Sequence, residues 1–387
     1  MTTTAHAPTP APAGQRAASA NPLPSLDPSQ AHLPTAVAAA TTPTALWNDS
    51  AEIGELTKSI AWGAVGATCN PVIALAAIKA DQPRWTARIR ELAAEHPTAG
   101  ESALGWMVVE ELSVEAARLL EPAFEASGGR NGRLSMQTDP RFHRDAAALV
   151  EQAVRFSELA PNIIVKIPAT KTGIEAMEEA AYRGVSLNAT VSFTVPQAVA
   201  VAEAIERGMA RREADGLPMP EFGHVCTIMG GRLDDWLKAY VAKQRILVDP
   251  GHLEWAGVAA LKKAHHLFVE RGYRVRILSA AFRNSMQWSE LQGGDLVVSP
   301  PFDWQARFNE NNLPVNPHAI DEPVAEEHLA ALRGISEFVK AYELEGEGGM
   351  SVEEFEQFGA TRHTLRQFLD ADAQLDAIVR DVLVPAP

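Results

Sequence analysis

The chain has 387 residues, 46% apolar and 21% charged, with a formal net charge of −15 and no basic block. That balance allows a large buried core in one barrel-sized domain and disfavours a nucleic-acid phosphate backbone as partner. The two cysteines, Cys69 and Cys226, lack metal-ligand spacing, no apolar run is long enough to span a bilayer, and the first residues carry no signal-peptide pattern, so the reading is a cytoplasmic protein that binds neither nucleic acid nor membrane.

Residues 1–43 are rich in Ala, Pro and Thr and offer no apolar face, so they are expected to stay mobile ahead of a single catalytic domain over 44–387. From Leu46 onward, short β-branched runs alternate with longer stretches of helical period. The expected strands are ALWND, GAVGAT, RLSMQT, IIVKIPA, GVSLNAT, FGHVCTI, YRVRILSA and GDLVVS. Eight strands, each followed by helical sequence, predict an α/β fold of the closed (β/α)8 TIM-barrel type. The stretch 71–127 holds more helix than one unit needs, which places extra helices between strands two and three. The residues after about Pro323 predict further amphipathic helices at the C-terminus.

Polar residues recur at the C-terminal ends of these strands, where barrels carry their chemistry: Asp49, Asn70, Gln137, Lys166, Asn188 with Thr190, Thr227 and Arg283. Each alone reads equally well as a cap or surface residue; the recurrence over seven strands is what selects them. Lys166 is the sharpest, because it interrupts Ile163-Ile164-Val165-Lys166-Ile167-Pro168. A lysine facing a barrel interior loses solvation, which favours the neutral amine needed for Schiff-base formation. The competing reading is an edge-strand lysine that snorkels to water or pairs with a carboxylate.

Other groups have plainer readings. Cys69 and Cys226 lack a partner histidine and read as buried structural thiols. His265 and His266 diverge on a helix and cannot share a metal. At least one of Glu110 and Glu111 reads as a solvated face, with Glu110 reaching the site as the lesser alternative, and Glu326-Glu327-His328 has no second ligand motif. Trp47 and Trp62 read as core packing.

The segments WNDSAEI, GATCNP, RLSMQTDPR, VKIPATKTGIEA, SLNATVSFTVPQA, GGRLDDW and SAAFRN, over about residues 46–300, resemble the transaldolase family in order and spacing. The resemblance implies a class I aldol mechanism with no metal or other cofactor, on sugar-phosphate substrates in the pentose phosphate pathway. It makes Lys166 the imine-forming residue, Asp49 the acid/base, Asn70 and Asn188 ligands of the dihydroxyacetone hydroxyls, Thr190 the holder of a catalytic water, and Arg232 and Arg283 the phosphate grip. Gln137 stands where the family has a proton-shuttling glutamate. Related fructose-6-phosphate aldolases also carry glutamine there, but with a tyrosine at the position occupied here by Met229. Ala281 replaces a phosphate-binding serine, Thr227 a serine and Cys69 a threonine. The expectation is a transferase of dihydroxyacetone units; the alternatives are an aldolase releasing free dihydroxyacetone or acting on an unusual sugar, and a weakly active sugar-phosphate binder. The oligomeric state is left open, a homodimer included.

Overall fold

The computed structural model describes residues 20–385. Its eight strands are β1 (Ala45–Leu46), β2 (Gly66–Thr68), β3 (Arg133–Gln137), β4 (Ile163–Pro168), β5 (Leu187–Thr190), β6 (Val225–Ile228), β7 (Arg276–Ala280) and β8 (Val297–Ser299). All pair in parallel, in the order β1-β8-β7-β6-β5-β4-β3-β2. One isolated bridge, Asn48 to Ala67, completes the ring, with Asn48 N–H donating to Gly66 O and Thr68 N–H to Asn48 O, both at 2.9 Å. This is the expected (β/α)8 barrel.

The seam between β1 and β2 has a steric cause. The Trp47 indole is wholly buried there, and a Cβ on residue 66 would lie 2.4 Å from its ring, so only glycine admits it. Trp62 instead stacks on Phe302, with centroids 5.0 Å apart.

Side chains sort by the two-residue period of a strand. Ala45, Trp47, Ile164, Val225, Leu278 and Val297 pack inside the barrel. Ile163, Val165 and Ile167 join the larger layer between strands and helices. Lys166 therefore shares the inward face with Ile164, on a strand flanked by β3 and β5. The edge-strand reading of this lysine is thereby excluded.

Three helices, Pro71–Ala80, Gln82–Glu95 and Glu101–Ala126, lie between β2 and β3. After β8 come Phe302–Glu310, Glu326–Arg333, Ser336–Tyr342 and the long Gly359–Leu383. The last packs back against Pro71–Ala80 and Glu101–Ala126. Arg141, in the loop after β3, ties it down: the guanidinium meets Asp139 at 2.7 Å, Asp372 at 3.0 Å and Asp376 at 3.3 Å, and donates to Ser102 Oγ at 2.6 Å.

The expectation for residues 1–43 needs correction over part of its length. Residues 1–19 lie outside the described residues. Pro34–Thr41 is a helix with Ala36, Ala38 and Ala39 buried, and Thr35 bonds Asn309 Oδ1 through both its N–H (3.1 Å) and its hydroxyl (2.9 Å). Small side chains let this helix approach Phe302–Glu310 closely, and the same smallness erased its amphipathic signal. Among the described residues no helix is long and apolar enough to cross a membrane.

Candidate active site

Parallel register brings the predicted residues together on the inward face. Gln137 pairs with Lys166, Lys166 with Asn188, and Pro168 with Thr190. Lys166 is 4% exposed, and among the described residues its side-chain amine has no hydrogen bond or ion pair. Burial pushes its pKa down; the neighbouring Asp49 and Cys69 oppose the shift, and Arg232 adds to it. Beside it, Gln137 Oε1 and Thr190 Oγ1 are buried without partners. Buried polar atoms are ordinarily hydrogen-bonded, so both oxygens can accept from a bound polar group.

Asp49 follows β1 at the seam, half-buried, and its Oδ1 accepts from Thr68 Oγ1 at 2.5 Å. Its N–H donates to Pro300 O at 3.2 Å, which fixes the backbone at the barrel mouth. Cys69 lies close by, but burial pushes its thiol up to about 12. Cys226 is likewise raised to about 12 by burial, so both thiols stay protonated and unreactive near neutral pH.

The two asparagines are each held by their oxygen. Asn188 Oδ1 accepts from Thr227 Oγ1 and its Nδ2 donates to Ser135 Oγ, both at 2.8 Å. Thr227 thus orients Asn188, and Ser135, which the sequence did not single out, does the same from β3. Asn70 Oδ1 caps the helix Pro71–Ala80 through Val72 N–H (2.9 Å) and Ile73 N–H (3.0 Å). Asn70, whose oxygen already accepts two bonds, can therefore offer a further polar group only its N–H, while Asn188 keeps one free N–H and one free oxygen lone pair.

Arg232 and Arg283 stand near one another at the mouth. Arg232 lies in the first turn of the helix Gly230–Gln244, which follows β6 with Met229 at its N-cap. Its Nη1 donates to Gln367 Oε1 at 2.5 Å and Thr364 Oγ1 at 3.2 Å, while its Nε is buried without a partner. Burial, and then the charge of Arg283, push the Arg232 pKa down. Arg283 is exposed, and its Nε pairs with Asp235 Oδ2 at 2.8 Å. Its backbone is braced from below: the N–H donates to Gln287 Oε1 at 2.6 Å, and Gln287 Nε2 donates to Asp234 Oδ2 at 2.7 Å. Asp234 Oδ1 also accepts from Gly257 N–H at 2.7 Å. Ala281 adopts φ 61°, and a Cβ on Gly231 would lie 2.0 Å from Ala281 O, so this loop rests directly on the helix that carries Arg232.

Residues outside this cluster keep their plain readings. Glu110 binds Arg155 at 2.5 Å and Glu111 binds Arg88 at 2.8 Å. Burial pushes His265 down to about 4. His328 Nδ1 meets His252 Nδ1 at 2.8 Å, a pairing the sequence did not suggest. Among the described residues no three His, Cys, Asp or Glu side chains group as a metal site.

A parallel barrel with polar groups converging at its C-terminal strand ends around an unpaired interior amine has the layout of a (β/α)8-barrel enzyme site. The transaldolase/fructose-6-phosphate aldolase family model matches residues 46–348, and the chain belongs to that family. It is similar to Transaldolase 1 of Streptomyces avermitilis (33% identical over 181 residues, 46% of this chain and 47% of that one) and to Transaldolase 1 of Streptomyces coelicolor (34% over 190 residues, 48% of each). It is also similar to the transaldolase of Thiobacillus denitrificans (33% over 226 residues, 56% of this chain and 60% of that one). The chain thus spans about half the length of the curated relatives it matches.

Proposed function

We propose that the chain is a transaldolase-type enzyme, moving a dihydroxyacetone unit between sugar phosphates through a Schiff base on Lys166, a reaction that belongs to pentose phosphate chemistry. The observation that carries this is Lys166 itself: buried, unpaired, and with its charged form disfavoured by loss of solvent. A neutral amine lone pair can attack the ketose carbonyl, and loss of water from the carbinolamine leaves an iminium. Asp49 takes the proton of the C4 hydroxyl, the C3–C4 bond breaks, and its electron pair passes into the iminium to give an enamine. An aldose phosphate departs. The enamine carbon then adds to an acceptor aldehyde, Asp49 returns its proton to the new hydroxyl, and hydrolysis frees the lysine.

Asn188, fixed by Thr227 and Ser135, and Asn70 are suited to hold the donor hydroxyls through N–H. Gln137 and Thr190 are suited to hold a water beside the amine, because their oxygens are buried and unpartnered. Arg232 and Arg283 are suited to grip phosphate, as paired guanidinium groups are. A second reading, an aldolase that releases dihydroxyacetone, is favoured by one residue: Gln137 can orient a water but cannot exchange a proton with it.

Incubation with fructose 6-phosphate, with and without erythrose 4-phosphate, tests the choice. Product only with acceptor establishes the transferase. Free dihydroxyacetone without acceptor establishes the aldolase, and binding without turnover refutes both.

A further inference from the structure

The C-terminal helix Gly359–Leu383 lies beyond the residues matched by the family, yet it touches the candidate site. Thr364, Gln367 and Phe368, spaced to share one helical face, meet a single side chain, Arg232. Its guanidinium carbon stands 5.9 Å from the Phe368 ring centre, and its Nη1 is held by the Gln367 and Thr364 oxygens. Gln367 Nε2 is itself 3.1 Å from His363 Nε2, which turns the amide oxygen toward the arginine.

We propose that Gln367 is a positioning residue for phosphate: it holds Arg232 by one nitrogen with a neutral oxygen, leaving the guanidinium charge and its other edge to the substrate.

Two observations support this independently. The first is the choice of partner. The neighbouring Arg283 is ion-paired to Asp235, whereas Arg232 has no ion pair among the described residues and is held by the neutral oxygens of Gln367 and Thr364. A carboxylate at 367 would neutralise the guanidinium and compete with an anionic ligand. The second is the edge left over. Among the described residues neither Nε nor Nη2 of Arg232 has an acceptor, and Nε is buried. The Nε–Nη2 edge is one of the two a guanidinium offers to a bidentate oxyanion. A phosphate dianion there would also relieve the repulsion between Arg232 and Arg283.

The inference rests on the phosphate-binding reading of Arg232, so the experiment separates the two. The quantity measured is the ratio of kcat/KM for fructose 6-phosphate to that for fructose, in wild type, Gln367→Glu, Gln367→Ala and Arg232→Ala. Gln367→Glu is expected to lower the ratio about tenfold or more, mainly through KM, because a charged partner now holds the arginine. Gln367→Ala should lower it less, and Arg232→Ala should collapse it. Gln367 is half-buried, so neither exchange empties the core. The inhibition constant of inorganic phosphate, measured alongside, should rise in Gln367→Glu. A wild-type ratio in both Gln367 variants, with collapse in Arg232→Ala, overturns the role of Gln367 alone. A wild-type ratio in Arg232→Ala overturns the phosphate reading and this inference with it.

Discussion

Gln137 stands directly opposite Lys166 across the β3–β4 ladder, and its buried Oε1 accepts no hydrogen bond. The pairing puts an uncharged acceptor where a carboxylate would exchange protons with the carbinolamine. Positioned acid/base groups contribute roughly 10²–10⁴-fold. Gln137→Glu, nearly isosteric, is therefore expected to raise the transaldolase rate about tenfold or more if dehydration limits turnover. Single-turnover kinetics decide it: a fast imine step followed by slow release in the wild type refutes the premise.

Lys166 should be the residue that traps. Borohydride reduction with a ketose donor is expected to attach the three-carbon fragment to the peptide containing Lys166, and Lys166→Ala to abolish both labelling and turnover. Because burial lowers the Lys166 pKa, the trapping rate should rise with pH around a midpoint below the ordinary lysine value of about 10.4. Labelling at Lys171, which is exposed and 3.5 Å from Glu353, would contradict the assignment.

Arg283 offers a graded test. Charge-assisted contacts contribute roughly 1.5–3 kcal/mol, so Arg283→Ala is expected to weaken phosphorylated substrates about ten- to a hundredfold. Its exposed pairing with Asp235 is worth at most about 1 kcal/mol, so Asp235→Asn should strengthen phosphate binding by up to about fivefold. Equal changes for phosphorylated and unphosphorylated sugars would remove Arg283 from the phosphate site.

The cluster on Arg141 predicts a pH dependence of stability. Asp372 is 3% exposed, and burial, then the charge of Asp139, raise its pKa to about 7 against the pull of Arg141, with Asp376 adding to the rise. Glu101 and Arg380 flank Asp376. An unfolded aspartate titrates near 3.9, so the folded chain holds this proton more tightly, and the stabilisation is complete below that value and lost as pH rises through about 7. The Tm should fall between about pH 4 and 7 and level off above, and Asp372→Asn should flatten the fall and raise the Tm at pH 8. A variant as pH-sensitive as the wild type would dismiss Asp372 as the source.

Much of this was legible in the sequence because the signals were local. Short β-branched runs set between stretches of helical period located all eight strands, and a lysine inside an apolar run pointed to the interior of the barrel. Family motifs then selected Asp49, Asn188 and Arg232 from among many polar residues. Partners from distant elements left no such trace. Gln367 meets Arg232 across 135 residues, and Ser135 reaches Asn188 across 53, with no spacing rule to connect either pair. Asp234 and Gln287 were silent for the same reason: each is an ordinary polar residue until the fold buries them against one another.

The single bridge between Asn48 and Ala67 has a consequence for motion. Seven of the eight strand junctions are ladders of two or more paired residues, and the eighth is one bridge beside an indole, crossed by three backbone hydrogen bonds of which Val65 N–H to Leu46 O, at 2.7 Å, is the shortest. Local opening should begin there, so the amides of Asn48 and Thr68 should exchange with solvent sooner than those of β3 to β7. Asp49 hangs on this hem. Its carboxylate can shift by small breathing of the seam while Lys166, two strands inside the stiff arc, stays fixed, which divides the cleft into an anchored amine and a compliant carboxylate.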